Sequence, residues 1–313
     1  MRSNKIIMML LCLLVLGFSG RAEAAEKSIG VVMSGDVQRY QDAHKAFVGA
    51  LAKHGFDQNK VEIFVQTPNP DPMSWTNSVR KFVGVGVDVI VTYGAPAALA
   101  ALKETSSIPV VFSYVYDPQS CGLKKGNSTG VSSKVPMTTL LKTLKSITPF
   151  AKIAVIYNPD EKDSVVQLDE IKKSASGLGF QVSEVAARSA SEVKGKVPGA
   201  AKDSDCVYIS CSAVVSREAV GIIGATNKAK TPAVTQVAGL AEKGALLALA
   251  PSSAEQGEAA AEQVAKILKG GSPSGMEVEN AKRVDLVLNL KAANTLGLKV
   301  PFDVLNAATK VIK

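Results

Sequence analysis

The sequence predicts an α/β protein made of two lobes, each with a mainly parallel β-sheet covered by helices on both faces. Short apolar runs such as Ser28–Met33 alternate with amphipathic segments along nearly the whole chain. Uninterrupted apolar runs are typical of strands that are buried on both faces. The alternation breaks once, over Tyr114–Asn127, a stretch rich in Gly, Lys and Ser. A chain of 313 residues is long enough for two lobes with separate cores.

The first block of the chain alternates four predicted strands with three predicted helices. Its helices carry apolar residues three or four positions apart, as Ala43, Phe47 and Leu51 do. Helix ends are marked by Asp-Pro at the start of the second helix and by glycines after it. The predicted strands are Ser28–Met33, Val61–Val65, Val87–Thr92 and Pro109–Ser113; the predicted helices lie around Ala43–His54, from Asp71 to Gly84, and at Ala95–Lys103.

The second block repeats the same rhythm. The predicted strands are Ser128–Ser132, Lys152–Tyr157, Phe180–Val185, Asp205–Ser210, Ala233–Thr235, Ala245–Ala250 and Val284–Leu288. The predicted helices are Met137–Ile147, Asp160–Leu178, a segment ending near Ala201, Arg217–Lys228, a long helix capped by Ser252, and two short helices at the end of the chain. Two such blocks with a break between them indicate two lobes.

The N-terminus has the layout of a secretory signal peptide, predicted over residues 1–24. A basic start is followed by the apolar run Ile6–Phe18 and by the small-x-small motif Ala22-Glu23-Ala24. The apolar run of about 13 residues is shorter than the roughly 20 that span a bilayer as a helix. Cleavage after Ala24 predicts a protein that works outside the cytoplasm, in the periplasm; a retained N-terminal anchor is the alternative.

Composition narrows the class of protein. The net charge of +8 comes from dispersed lysines, and only 5% of residues are aromatic. These features, together with export, argue against nucleic-acid binding. The cysteines Cys121, Cys206 and Cys211 are predicted to be small apolar fillers. No zinc-type spacing is present, so no metal or cofactor is expected.

Candidate ligand-binding residues follow from the predicted strand ends. In parallel sheets the loops after the carboxyl ends of strands gather on one side, and facing lobes place these loops along a shared cleft. Helix starts such as Tyr93-Gly94-Ala95-Pro96 offer free N–H groups that can hold a carboxylate or phosphate. The candidates are Ser34, Gly35, Asp36, Tyr93, Gly94, Ala95, Tyr114, Asp117, Tyr157, Asn158, Asp160, Ser210, Ser212 and Gln236.

Catalytic motifs are largely absent from the sequence. No histidine falls in a candidate loop, and neither a G-x-S-x-G, an H-E-x-x-H nor a Walker loop occurs. We therefore predict a binding protein rather than an enzyme. The enzymatic alternative is a secreted catalyst that uses an acidic pair such as Asp36 and Asp117.

Several segments resemble the periplasmic substrate-binding proteins of ABC transporters, in the subfamily with tryptophan- and tyrosine-binding members. They are Phe47–Gly55, Phe82–Ala98, Ile108–Leu123, Ile153–Pro159, Val207–Val215, Lys266–Pro273 and Val284–Gly297. The resemblance implies a type I periplasmic-binding fold whose lobes close on a small molecule, and a monomer that docks on a membrane permease driven by an ATPase. It also implies three crossings between the lobes, placed near Tyr116, Ala250 and Met276. Lobe 1 is then 25–116 plus 251–276, and lobe 2 is 117–250 plus 277–313.

The resemblance also implies where the ligand is held, and here the chain departs from the family. Family amino-acid binders hold the ligand carboxylate at the loop matching Tyr93–Ala95 and the amine with second-lobe groups. Thr-Asp-Asn is common where this chain has Ser210-Cys211-Ser212, and acidic residues are common at Gln236–Gly239. The second-lobe pocket is therefore expected to be more neutral, with a carboxylate supplied by Asp36, Asp117 or Asp160. We predict an amino-acid ligand, aromatic or branched; the alternative is a sensory protein that presents its ligand to a receptor or kinase.

Overall fold

The structure, a computed structural model, describes residues 27–123 and 126–313, and these residues form two α/β lobes. The first lobe is built on a six-stranded sheet with the strand order β11-β5-β4-β3-β1-β2. Its elements are β1 (Lys27–Met33), α1 (Gln38–Lys53), β2 (Val61–Gln66), α2 (Pro72–Val85), β3 (Val89–Tyr93), α3 (Ala95–Glu104), β4 (Val110–Val115), α4 (Pro118–Cys121), β5 (Ser128–Ser132), and later α10 (Ser253–Leu268) and β11 (Glu279–Asn280). All neighbouring strands of this sheet run parallel.

The second lobe is built on a seven-stranded sheet with the strand order β13-β12-β10-β9-β8-β6-β7. Its elements are α5 (Met137–Ile147), β6 (Lys152–Tyr157), α6 (Lys162–Leu178), β7 (Gln181–Ala186), α7 (Ala190–Lys202), β8 (Cys206–Ile209), α8 (Ala213–Arg217), α9 (Ala219–Ala229), β9 (Ala233–Thr235), β10 (Leu247–Pro251), β12 (Val284–Asn289), α11 (Leu290–Leu296), α12 (Phe302–Ala307) and β13 (Lys310–Ile312). The pair β10–β12 is antiparallel, and the other pairs are parallel. The predicted fold class is confirmed.

Within residues 27–123 and 126–313 the chain crosses between the lobes three times, but two crossings differ from their predicted places. They fall at 133–136, at about 252 and at 281–283. The crossing predicted near Ala250 matches the second. The division predicted at 116/117 does not match the sheets, because β5 pairs in parallel with β4 and so belongs to the first lobe. The third crossing follows Asn280 instead of Met276, because β11 pairs with β5.

Helix α10 returns to the first lobe and packs closely on α1. A Cβ atom at Gly257 would lie 1.9 Å from the carbonyl oxygen of Ala43, so glycine permits this backbone approach. The contact joins the last helix of the lobe to its first helix. It fixes the start of α1, which faces the second lobe.

Local differences from the predicted elements are small. The helix predicted over Arg217–Lys228 corresponds to α9, and the short helix α8 before it lies outside the predicted helices, as do α4, β11 and β13. The three cysteines of the described chain are free, as expected for fillers. No helix within 27–123 or 126–313 is both long and apolar enough to cross a bilayer. The predicted signal peptide lies outside the described residues.

Candidate functional site

The two lobes meet along the loops that follow their parallel strands, and they touch each other directly. Arg217 of α8 donates a hydrogen bond to the side chain of Asn69 in the first lobe (3.3 Å). Gly35 faces Ala213 so closely that an added Cβ would stand 3.5 Å from the Ala213 Cβ. The cleft between the lobes is therefore closed in this structure.

The Arg39 guanidinium is the main link across the cleft. Its Nη1 donates to Oγ of Ser216 at 2.9 Å, and its Nη2 donates to the carbonyl oxygen of Cys211 at 2.8 Å. Nη2 also donates to the Tyr40 hydroxyl of the same lobe at 3.0 Å. Arg39 is only 4% exposed, so these charge-assisted hydrogen bonds form away from water. A groove of about 260 Å³ leads from the surface to this contact.

Three tyrosines form the first-lobe wall of the cleft. The Tyr40 ring lies 6.1 Å from that of Tyr93 and 5.7 Å from that of Tyr114, with the second pair edge to face. Tyr114 has a positive φ of 57° and its hydroxyl lies 2.6 Å from Oγ of Ser253 at the start of α10. Burial raises the pKa of Tyr114 to about 12, so the phenol is neutral at physiological pH. The wall is aromatic and carries no charge of its own.

The start of helix α3 closes tightly on this wall. Gly94 has φ +91°, and an added Cβ would lie 2.5 Å from the Tyr40 hydroxyl. The Gly94 N–H donates to the carbonyl of Ser113 (2.9 Å), and the Ala97 N–H donates to Oγ of Ser34 (3.1 Å). Helix α3 of the first lobe also contacts α6 of the second lobe.

Glu161 is a buried carboxylate that organises the second lobe. It accepts hydrogen bonds from the N–H groups of Ala213 (2.6 Å) and Val214 (3.2 Å) at the start of α8. The Ser212 hydroxyl (2.8 Å) and the Asn158 amide (3.0 Å) also donate to it. Glu161 is only 2% exposed, and these four hydrogen bonds offset the free-energy cost of removing its carboxyl group from water. They also tie the loop after β6 to the loop after β8.

Asp163 is a second buried carboxyl group, and it faces the first lobe. It is 2% exposed and accepts a hydrogen bond from the Ser164 N–H at 3.0 Å. Burial, and after it the charge of Glu161, raise the pKa of Asp163 to about 7. The Arg39 charge and the N–H groups of Ser164 and Ala95 act in the opposite direction. Asp163 is therefore poised between its neutral and charged forms near pH 7.

Amide side chains complete the second-lobe wall. Gln167 accepts a hydrogen bond from the Cys211 N–H at 2.8 Å and lies 3.4 Å from the Gln236 amide. Gln236 also accepts from the Tyr208 hydroxyl at 3.4 Å. The Ser210 hydroxyl, at the end of β8, is fully buried and has no hydrogen-bond partner. This wall thus retains an unused hydroxyl.

The structure brings many of the predicted residues to the lobe interface or its immediate supports. These are Ser34, Gly35, Tyr93, Gly94, Ala95, Tyr114, Asn158, Ser210, Ser212 and Gln236.

The other four predicted residues do not reach the buried contact. Asp36 is exposed on the rim and bonds to Gln41, and Asp160 is exposed and pairs with Arg188. Tyr157 donates to Glu184 on an exposed part of the same lobe. Asp117 caps α4, pairs with Lys134 and lines a separate cavity of about 630 Å³ beside the first crossing.

The sequence pointed to Asp36, Asp117 or Asp160 as the source of a carboxylate in a more neutral second-lobe pocket. None of these three is buried at the lobe contact, whereas Glu161 and Asp163 are buried carboxyl groups of the second lobe. The site residues missed from the sequence are Arg39, Tyr40, Glu161, Asp163 and Gln167. Arg39, Tyr40 and Asp163 lie in the first turn of helices that follow strands, and the prediction stopped at the loops. Within the described part of the chain, no group of His, Cys, Asp and Glu side chains is arranged to hold a metal ion.

Comparison with known proteins agrees with this architecture. The sequence profile of the ABC transporter substrate-binding protein family matches residues 28–312. A tyrosine-binding protein of Clostridioides difficile is 26% identical over 282 residues, which cover 88% of this chain and 82% of that protein.

Two solved structures differ in how well their lobe arrangement matches. An ABC domain from Streptococcus pneumoniae in complex with L-Trp is 25% identical, covers 92% of this chain and all of its own, and superposes with a TM-score of 0.88. A ligand-free, open substrate-binding protein with adhesive properties from Clostridium difficile is 29% identical over 92% of this chain and 99% of its own, with a TM-score of only 0.67. The lobes here are thus arranged as in the complex. The chain belongs to the family of ABC transporter substrate-binding proteins.

Proposed function

We propose that this protein is the extracytoplasmic solute-binding component of an ABC importer and that its ligand is an amino acid with an aromatic side chain. The observation that carries the proposal is the closed cleft, in which buried groups of opposite charge, Arg39 and Asp163, lie beside a wall of tyrosines. The tyrosine-binding relative and the L-Trp complex support the same ligand class.

The chemistry of the cleft suits a ligand with one ionic end and one aromatic end. Buried charges discriminate strongly between ligands, because an unpaired ion away from water is costly. The rings of Tyr40, Tyr93 and Tyr114 provide edge and face contacts for an aromatic side chain. The amides of Gln167 and Gln236, with the free Ser210 hydroxyl, offer hydrogen bonds to a polar substituent on that ring.

Lobe closure provides the link to transport. In the closed form, α8 of the second lobe and the loop around Asn69 of the first lobe come together at the rim. A surface made from both lobes exists only when the cleft is closed, so a permease docking there distinguishes the loaded protein from the empty one. The predicted signal peptide places the protein on the same side of the membrane as such a permease, and a monomer suits repeated docking and release.

A thermal-shift and calorimetric screen tests the ligand class. The protein is unfolded and refolded to remove any co-purified ligand and is then mixed with each of the twenty amino acids, with sugars and inositols as controls. A ligand at a hundred times its Kd stabilises the folded state by about 2.7 kcal/mol, which raises the Tm of a protein of this size by roughly 5–10 °C. We expect this shift with tyrosine or tryptophan. A shift with a sugar alone, or with no amino acid, contradicts the proposal.

A further inference from the structure

We propose that Gln256 and Ser253, three residues apart at the start of α10, are positioning residues for ligand binding. They hold Tyr114 in an unusual backbone conformation, and this conformation places the Tyr114 ring in the cleft wall. The inference rests on the proposed function in taking the closed cleft as the ligand site. It adds the groups by which the crossings between the lobes set the shape of that site.

Tyr114 has a backbone conformation that residues with a Cβ atom seldom adopt. Its φ of 57° lies in the left-handed region. The conformation occurs at a bulge, because two residues of β4 stand opposite one residue of β5 between the pairs Phe112–Gly130 and Val115–Ser132. A bulge can re-aim a side chain, and a strained residue keeps its conformation only where the surrounding groups hold it there.

The side-chain amide of Gln256 fills the gap that the bulge leaves between the two strands. Its Oε1 accepts a hydrogen bond from the Tyr114 N–H at 3.0 Å, and its Nε2 donates to the carbonyl oxygen of Ser132 at 3.0 Å. The Ser113 hydroxyl donates to the backbone carbonyl of Gln256 at 3.2 Å. Gln256 is fully buried, so loss of its amide leaves the Tyr114 N–H and the Ser132 carbonyl unpaired away from water.

Ser253 contacts the other end of Tyr114. Its Oγ lies 2.6 Å from the Tyr114 hydroxyl. The Tyr114 ring, fixed at both ends, stands edge to face against the ring of Tyr40, with 5.7 Å between the centroids. The Arg39 guanidinium lies 4.4 Å from the centroid of the Tyr40 ring and donates to the Tyr40 hydroxyl. One aromatic contact therefore joins Tyr114 to the residue that links the lobes across the cleft.

The groups that hold Tyr114 lie at the bases of two crossings. Ser132 ends β5 immediately before the first crossing at 133–136, where the chain leaves the first lobe. Ser253 and Gln256 follow the second crossing at about 252, where the chain returns. The hydrogen bonds of Gln256 thus fix β4, β5 and α10 relative to one another. A change at Gln256 displaces the Tyr114 ring and through it weakens ligand binding.

Calorimetry of Gln256→Met with L-tyrosine and L-tryptophan tests the inference. Methionine has a similar length and volume but lacks the amide. Gln263→Met is the matched control, because Gln263 is a second buried amide of α10 that donates to β5, to the Gly130 carbonyl at 3.2 Å, and has no contact with Tyr114. We expect both variants to lower the Tm, but only Gln256→Met to weaken binding, by at least tenfold. Affinities of the two variants within threefold of each other overturn the inference.

A double-mutant cycle tests whether Gln256 acts through Tyr114. In the Tyr114→Ala background the ring is absent, so adding Gln256→Met should change the affinity by less than threefold. A further tenfold loss in that background overturns the positioning role. Ser253→Ala removes only the contact with the Tyr114 hydroxyl and tests the same role should Gln256→Met not fold. We expect it to weaken binding by about three- to tenfold, and unchanged affinity contradicts the role of Ser253.

Hydrogen exchange without ligand separates this inference from the proposed function. We expect the amide hydrogens of β4 around Tyr114 to exchange at least tenfold faster in Gln256→Met than in Gln263→Met. A parent protein that binds neither amino acid contradicts the proposed function. Faster exchange in Gln256→Met then still supports the contact that holds Tyr114, whereas equal exchange in the two variants overturns it.

Discussion

Replacing Arg39 by methionine is expected to open the cleft. The substitution keeps an unbranched apolar stem but removes the two hydrogen bonds that cross between the lobes, to Ser216 Oγ at 2.9 Å and to the Cys211 carbonyl at 2.8 Å. It also removes the positive charge that acts on Asp163. The tyrosine wall stays in place, because its rings also contact each other.

The size of the effect follows from those two bonds. A buried hydrogen bond to a charged group contributes about 1.5 kcal/mol at the lower end of its range. Two of them shift the equilibrium between closed and open forms by about 3 kcal/mol, or roughly a hundredfold. Because only the closed form holds the ligand fully, the apparent Kd rises by about 50–100-fold.

Small-angle X-ray scattering and calorimetry measure the two consequences separately. The ligand-free Arg39→Met protein should have a larger radius of gyration than the parent, and its affinity for the bound amino acid should fall as stated. Arg217→Ala is the matched control, because it also removes a hydrogen bond between the lobes, the one to Asn69. That hydrogen bond is exposed to water and contributes little to the stability of the closed form. An Arg39→Met protein with the parent's radius of gyration and an affinity within threefold refutes the role assigned to Arg39.

Three further changes test the cleft and its support. Gly94→Ala forces a Cβ to within 2.5 Å of the Tyr40 hydroxyl at φ +91°, and should lower both stability, by about 1–3 kcal/mol in urea denaturation, and ligand affinity. Gly257→Ala drives a Cβ to 1.9 Å from the Ala43 carbonyl, and should cost at least about 2 kcal/mol of unfolding free energy. Burial, and after it the charge of Glu161, raise the pKa of Asp163 to about 7, so this group makes the folded state less stable as the pH rises from about 4 to about 7; urea denaturation of the parent and of Asp163→Asn at several pH values measures this.

For each of these predictions, one result contradicts the structural reasoning behind it. Gly49→Ala, on an open part of the same helix as Ala43, should stabilise the protein by about 0.5–1 kcal/mol, so a similar gain from Gly257→Ala contradicts the close packing of α10 on α1. Full ligand affinity in Gly94→Ala contradicts the placement of α3 in the cleft wall. An Asp163→Asn protein whose unfolding free energy depends on pH as the parent's does contradicts the titration of Asp163.

The fold was predictable because apolar periodicity and capping signals are local properties of the sequence. The strand at Ser128–Ser132 was found in this way, but its lobe was not, since that depends on pairing with β4. Local pattern does not encode which of two sheets a strand joins. The short strand β11, which pairs with β5, was missed for a different reason, because two residues carry no periodicity.

The candidate site was predictable only in outline. Loops at strand ends located Tyr93, Gly94, Ser210 and Ser212, because their place follows from sheet geometry. Which carboxyl group is buried does not follow from spacing: Asp160 and Asp163 stand three residues apart, yet one is exposed and the other is buried at the lobe contact. That difference arises from how α6 meets α3 of the opposite lobe, a tertiary contact with no signature in either segment.

Calorimetric titration of the ligand-stripped protein with L-tyrosine and L-tryptophan tests the central claim most directly. Enclosure of one ligand between two lobes predicts saturable binding of one molecule per chain, with a negative heat-capacity change from the burial of apolar surface. Closure of the cleft predicts that molecules that are open without ligand have a smaller radius of gyration once the protein is saturated with ligand. Absence of saturable binding for both amino acids, in protein shown to be folded, contradicts the account.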